Sequence, residues 1–126
     1  MLAQALYNNN GLAVPRFLFR SARYVKLSLQ AKLIYALLIE SLQYCHRRNW
    51  FDENGDVYVL LPQEAIGQSL GFKKDVVYRA MNDLKKVGLI EIVRQGLCLP
   101  NRIYVHEPVL KTEEMDADPC QDLLLG

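Results

Sequence analysis

The chain has 126 residues, 51% of them hydrophobic and 23% charged, which is enough for one core, too little for two, and too apolar for a disordered chain. The overall charge of +1 hides a division: residues 14–106 carry 14 Lys/Arg against 8 Asp/Glu, about +6, whereas residues 107–126 carry 6 acids and one lysine, about −5. A basic globular part followed by an acidic stretch suits a polyanionic partner.

The expected plan is a flexible N-terminus over residues 1–13, a folded unit over 14–106 and an acidic linker or tail over 107–126. No basic, apolar leader opens the sequence, and its longest continuous apolar run, residues 33–39, is too short to cross a bilayer, so no membrane role and a cytoplasmic location are expected. Cys45, Cys98 and Cys120 are odd in number, widely spaced and free of CxxC pairs. That spacing argues against a zinc site and for a reducing compartment.

In chain order, Asn8-Asn9-Asn10-Gly11 is turn chemistry, and Pro15 suits the first turn of a short helix carrying Phe17, Leu18 and Phe19. Arg16, Arg20 and Arg23 flank that helix as solvated cations or phosphate contacts. Ser28 is an N-cap candidate for a long helix to about Tyr44, in which Leu29, Leu33, Ile34, Ala36, Leu37, Leu38 and Leu42 leave little polar circumference. This is the expected central core helix, with Tyr35 and Tyr44 as core or core-rim aromatics. Next, Trp50-Phe51-Asp52-Glu53 and Asp56-Val57-Tyr58-Val59-Leu60 flank Asn54-Gly55, the signature of a β-hairpin with a type I′ turn. The acids between Asp52 and Asp56 resemble a calcium loop, but the glycine falls one position early and the twelfth position is Gln63, so no metal or other cofactor is expected.

Pro62 opens a second short helix with Ala65, Ile66, Ser69 and Leu70 as its compact face, and Gly71 permits a tight turn. The following segment places Val77, Ala80, Met81, Leu84 and Val87 on one helical stripe, with Gly88 where a left-handed stop is needed. Its other side carries Lys73, Lys74, Asp75, Val76, Tyr78, Arg79 and Asn82, a set that offers phosphate anchors and base-edge partners near the helix N-terminus. Lys73 and Lys74 suit phosphates; Val76 and Tyr78 suit a thymine methyl or the backbone. Arg79 is the candidate base reader, because its planar fork matches O6 and N7 of guanine. The plainer alternative is an intrahelical pair with Asp75 or Asp83. Two β-rich runs, 89–93 and 103–105, then enclose a tip of six or seven residues containing Gly96 and Pro100. The order predicts an α+β winged helix-turn-helix with an extra N-terminal helix and β-hairpin.

These residues also resemble a known family. Leu27-Ser28 with Ala31-Lys32-Leu33, Tyr35-Ala36-Leu37-Leu38, Asn49-Trp50 with Asp52-Glu53-Asn54-Gly55, Gly88-Leu89-Ile90-Glu91, and Arg94-Gln95-Gly96 with Pro100-Asn101 and Ile103-Tyr104-Val105 are similar to the N-terminal domain of the RepA_N plasmid replication initiators. The resemblance covers residues 14–106. It implies a bacterial, plasmid-type initiator whose winged helix binds repeated origin sites on double-stranded DNA, usually as a homodimer. A separate C-terminal domain, outside these 126 residues, would engage host replication proteins. It adds wing residues Arg94, Gln95 and Arg102 to the DNA-facing set. The family wing commonly reads Arg-Gln-Gly-x-Gly-Lys-Pro-Asn, and here Cys98 and Leu99 replace the glycine and lysine. Leu61-Pro62 stands where a Thr or Ser cap is usual, and Cys45-His46-Arg47-Arg48 replaces a Ser-rich stretch.

Catalysis is not expected: the only histidines, His46 and His106, lie sixty residues apart, and no P-loop, Rossmann or nucleophile pattern appears. A winged-helix transcriptional regulator has the same chemistry as an initiator, and a winged helix used only to bind protein is the remaining alternative. The apolar Phe17, Leu18 and Phe19 segment is the candidate dimer surface.

Overall fold

The computed structural model describes residues 11–47 and 50–108, without the side chains of 44–47. The expectations for residues 1–10, for the side chains of Tyr44 and Cys45, for Cys120 and for the acidic stretch from 109 onward lie outside what is described. The elements are α1 (Phe17–Arg20), α2 (Leu29–Arg47), α3 (Gln63–Leu70), α4 (Lys74–Lys86), β1 (Ile90–Val93) and β2 (Arg102–Val105).

Helix α1 is a single turn whose Leu18 enters the core, and Phe17 meets Tyr24 and Tyr35 edge-on at centroid distances of 5.4 and 5.9 Å. The expected dimer surface is therefore mostly interior. Of its three residues only Phe19 is exposed, at 46%, and the Lys32 ammonium sits 4.5 Å over its ring. Leu18 and Phe17 turn inward because residues 21–27 fold back beneath α1, through bonds such as Val25 N to Ser21 O at 2.9 Å.

Ser28 caps α2 as expected, its Oγ accepting the Ala31 N–H at 3.1 Å. Ala31, Ile34, Tyr35, Ala36 and Leu38 are buried, but Leu29 is 58% exposed. Standing directly after the cap, Leu29 precedes the stripe that faces the core. Lys32 takes an inward place, nearly fully buried, and its Nζ donates to Val25 O at 3.1 Å, tying the 21–27 turn to α2. Tyr35 is also interior. Its hydroxyl donates to His106 O at 2.8 Å, and burial, then the neighbouring Tyr24 and Glu107, pushes its pKa up to about 12.

The hairpin at 50–60 forms, but without a type I′ turn. Gly55 is at φ 83° and Asn54 is not in the left-handed region, while Gly55 N bonds Asp52 O at 3.0 Å and Asp52 N bonds Asp56 O at 2.9 Å. Three residues thus close the turn in place of two. The physical reason is the Asp52 side chain: Oδ1 accepts both the Asn54 and Asp56 N–H groups at 2.9 Å and selects the wider turn. Beyond the turn the pairing is short, a Phe51↔Val57 bridge and a Tyr58 N to Trp50 O bond at 3.3 Å, and Val59 then exchanges two 2.9 Å bonds with Ile103 at the edge of the wing.

The wing pairs β1 with β2 antiparallel, in register Ile90↔Val105, Glu91↔Tyr104, Ile92↔Ile103 and Val93↔Arg102. Ile90, Ile92, Ile103 and Val105 face the core, and it is closed on the other sides by α2, α3, α4 and Val59. In α3 the compact face is Ile66 and Gly67; the expected Ser69 is exposed. A Cβ on Gly67 would stand 2.7 Å from the Phe72 carbonyl oxygen, so this small residue lets the α3–α4 turn fold tightly against α3. Helix propensity alone would favour alanine there by about 1 kcal/mol. The backbone clash outweighs it: Gly67→Ala is expected to lower stability by about 1–3 kcal/mol in a denaturant titration.

Candidate nucleic-acid interface

Helix α3 ends at Gly71, and Phe72 N donates to Gly67 O at 2.9 Å to close the turn into α4. Lys73 occupies the N-cap position of α4 in extended conformation without a side-chain cap bond. At the other end Gly88, at φ 81°, supports bonds from Gly88 N to Lys85 O and from Leu89 N to Leu84 O, the pair that closes a helix with a left-handed residue. The chain leaves directly into β1. Of the five residues expected on the buried stripe, Val77, Ala80, Met81 and Leu84 are buried and Val87 is half-buried. Helix phase is thereby fixed, and with it the outward face.

That face gathers Lys73, Lys74, Asp75, Tyr78 and Arg79, all exposed, with Val76 and Asn82 half-buried at its borders. Tyr78, at 59% exposure, is a large aromatic with its hydroxyl end free to approach a partner. Lysines at an N-terminus oppose the helix dipole, so they cost stability in the free chain, while the same end attracts anions. Arg79 Nη2 donates to Asp75 Oδ2 at 3.2 Å, the intrahelical alternative foreseen from spacing; Asp83 is not its partner. With the two side chains 77% and 66% exposed, the pair contributes a few tenths of a kcal/mol and exchanges readily for another acceptor.

Two shallow grooves flank this face. One of about 200 Å³ brings Ser28 and Gln30, at the start of α2, beside Val76, Arg79 and Asp83. The other, of about 230 Å³, sets Arg23 and Lys26 opposite Lys86. Gln30, on the first turn of α2, and Lys26, in the folded-back 21–27 segment, thus adjoin α4, a neighbourhood that no spacing in the sequence signals.

The three expected wing residues separate. Arg94 is exposed, whereas Gln95 and Arg102 brace the wing: Gln95 Nε2 donates to Pro100 O at 2.7 Å, and Arg102 Nε donates to Gln95 Oε1 at 2.9 Å. The Arg102 guanidinium also lies 4.6 Å over the Tyr58 ring and bonds the Tyr104 oxygen. Tyr104 in turn donates to Asp52 Oδ2 at 2.9 Å. The Asp56 N–H, then the Tyr104 hydroxyl and Asn54 N–H, hold the Asp52 carboxyl below the usual carboxylate range. This network joins the hairpin to the wing.

Cys98 stands at φ 67°, in the left-handed region, at the position where the resembling wings carry glycine. For a residue with a Cβ this costs about 1–2 kcal/mol, against the roughly 0.5–1 kcal/mol of chain entropy a glycine would lose. Strain wins, so Cys98→Gly should raise stability by about 0.5–1 kcal/mol and Cys98→Ala should not. Thermal melts of the two variants side by side check this. Among the described residues no group of three or more His, Cys, Asp or Glu is placed to hold a metal, and no helix is long and apolar enough to cross a membrane.

Helix, tight turn, recognition-type helix and two-stranded wing, preceded by a helical support, define a winged helix-turn-helix domain. The family model for the N-terminus of replication initiator protein A (RepA) matches residues 10–117, and the chain belongs to that family. A "41 kDa protein" of Lactobacillus helveticus is 32% identical over 100 residues, a match covering 75% of this chain. The chain spans only 28% of that relative's length. Among solved structures, an N-terminal domain of a DNA binding protein shares 28% identity at a TM-score of 0.75, with 92% of this chain and 95% of that chain covered. A Rep-DNA complex shares 28% identity at 0.74 with the same coverage. The structure of an MDR initiator, at 23% identity, TM-score 0.75 and 98% and 95% coverage, supports the fold alone.

Proposed function

We propose that this domain binds double-stranded DNA sequence-specifically at repeated origin sites, as the N-terminal part of a plasmid-type replication initiator. The observation that carries the reading is the outward face of α4: Lys73, Lys74, Tyr78 and Arg79 lie exposed together at the N-terminal half of a helix whose opposite stripe is fully packed. Family membership and the similarity to a Rep-DNA complex support it. Lys73 and Lys74 anchor phosphates, Arg79 exchanges Asp75 for a guanine edge, and Arg94 supplies a cation from the wing. The domain acts in the cytoplasm by binding, without catalysis or cofactor. Host replication proteins are engaged by a separate domain.

Two copies bind together, with recognition helices about 34–36 Å apart on half-sites one helical turn apart. The exposed Phe19, with Val25 and Leu29, replaces the interior Leu18 as the candidate contact. Selection of bound fragments from the replicon that encodes the chain tests the reading. Repeats clustered in the replication origin are expected; recovery of promoter sites alone would make the domain a transcriptional regulator. Equal affinity for a lone half-site and for the full site, by a monomeric chain, would remove the dimer.

A further inference from the structure

The chain leaves β2 at a corner of the fold that is fixed from two sides. His106 N donates to Leu89 O at 2.8 Å, the Tyr35 hydroxyl donates to His106 O at 2.8 Å, and the exposed Glu107 is close enough to Tyr35 to help raise its pKa. Tyr24 acts on Tyr35 from the same corner. The groove of about 230 Å³ that sets Arg23 and Lys26 opposite Lys86 adjoins it. Arg23 precedes Tyr24 and lies 6.0 Å from that ring, and Val87, which lines the groove with Leu27 and Asp83, stands two residues before Leu89.

The three cations of the groove are exposed, and among the described residues none of them is in an ion pair; Asp83 is half-buried. Like charges held together without counter-charge repel, so an anion placed there would be favoured. Past Pro108 the sequence supplies one. Residues 109–126 carry Glu113, Glu114, Asp116, Asp118 and Asp122 against Lys111, five acids against one lysine, and Leu110 and Met115 offer apolar side chains to match Leu27 and Val87.

Reach agrees with charge. Glu113 lies five positions beyond Pro108 and Asp118 ten, spans of up to about 18 and 35 Å at roughly 3.5 Å per residue. Helix α4, with 13 residues, measures only about 20 Å. A tether this short supplies an effective concentration in the millimolar range, so pairs that are weak one by one suffice to hold the segment. The groove suits an extended segment, since a folded partner buries roughly 800 Å² a side.

We propose that the acidic segment 109–126 docks on the groove of Arg23, Lys26 and Lys86 through Glu113, Glu114, Asp116 and Asp118, and holds negative charge beside the DNA-facing side of α4. The docking stands on charge and reach; its consequence, weaker binding of duplex DNA, rests on the DNA-binding reading above.

The test uses the full 126-residue chain and a zero-length carbodiimide, which joins a lysine amine to a carboxylate only where the two touch. Mass spectrometry of the single-chain band after denaturation locates the bonds. Lys26 and Lys86 should couple to residues 113–118 in preference to Lys73 and Lys74, and the coupling should fade at about 1 M salt, where the Debye length is roughly 3 Å. Arg23→Glu keeps both lysines and should lose most of the coupling, with a melt that matches the unaltered chain. In a separate arm, the chain carrying Glu113→Gln, Glu114→Gln, Asp116→Asn and Asp118→Asn should bind a random duplex about threefold to tenfold tighter at low salt, because the exposed pairs no longer compete. Coupling spread evenly over the exposed lysines, or found only between chains, would overturn the docking. Equal duplex affinity for the neutralised and unaltered chains would overturn its effect on DNA. If neither chain holds duplex DNA, the DNA-binding reading fails, while the coupling pattern still decides the docking.

Discussion

Leu84→Ala is expected to destabilise the domain by about 2–5 kcal/mol, the sum of lost transfer energy and the cavity left behind. Leu84 is fully buried in the cluster that unites α2, α4 and the wing, so no solvent-facing rearrangement can refill the space. For a domain of this size each kcal/mol shifts the melting temperature by roughly 4–8 °C, so the melt should fall by about eight degrees or more. Met81→Ala, one turn away on the same stripe, should behave alike. Lys85→Ala, on the exposed side, should stay within about 0.5 kcal/mol. A melt of Leu84→Ala that overlays the unaltered chain would mean that α4 turns a different face to the core, and the outward residues would have to be reassigned.

The second large effect concerns recognition. Arg79→Ala should cost a specific duplex about 1–3 kcal/mol more than random DNA, since a bidentate guanine contact discriminates between bases. Lys73→Ala should weaken both duplexes by similar factors, as expected of a phosphate anchor. The pairing of Arg79 with Asp75 adds a further arm: Asp75→Ala frees the guanidinium and should tighten binding modestly. Equal losses on both duplexes would make Arg79 a phosphate contact. No loss on either would leave the 3.2 Å pair with Asp75 as its whole role.

Helix α4 was legible in the sequence because a 3.6-residue apolar stripe, a glycine stop and a cluster of exposed-type residues all agree on one phase. The N-cap at Ser28, the wing and the order of elements were readable for the same reason. What was not readable depends on contacts across the chain. Asn54-Gly55 is a sound local signal for a two-residue turn, yet the Asp52 carboxylate overrides it while accepting the Tyr104 hydroxyl from fifty-two positions away. Gly67 looks dispensable in a helix until the Phe72 carbonyl is seen against it. Lys32 reads as a surface residue but lies inside, and Leu29 reads as core but lies outside. At the candidate site the same division holds: exposed cations on one helix were legible, whereas the bracing of Gln95 and Arg102 within the wing was not.

The most direct measurement is duplex affinity across a salt series, in buffer free of divalent metal and nucleotide. If three or four of the exposed cations Lys73, Lys74, Arg79 and Arg94 displace counterions, log affinity should fall linearly against log salt with a slope of about −3 to −4 per chain. Affinity that does not change with salt, or duplex binding that appears only when metal or nucleotide is added, would contradict DNA recognition by this face.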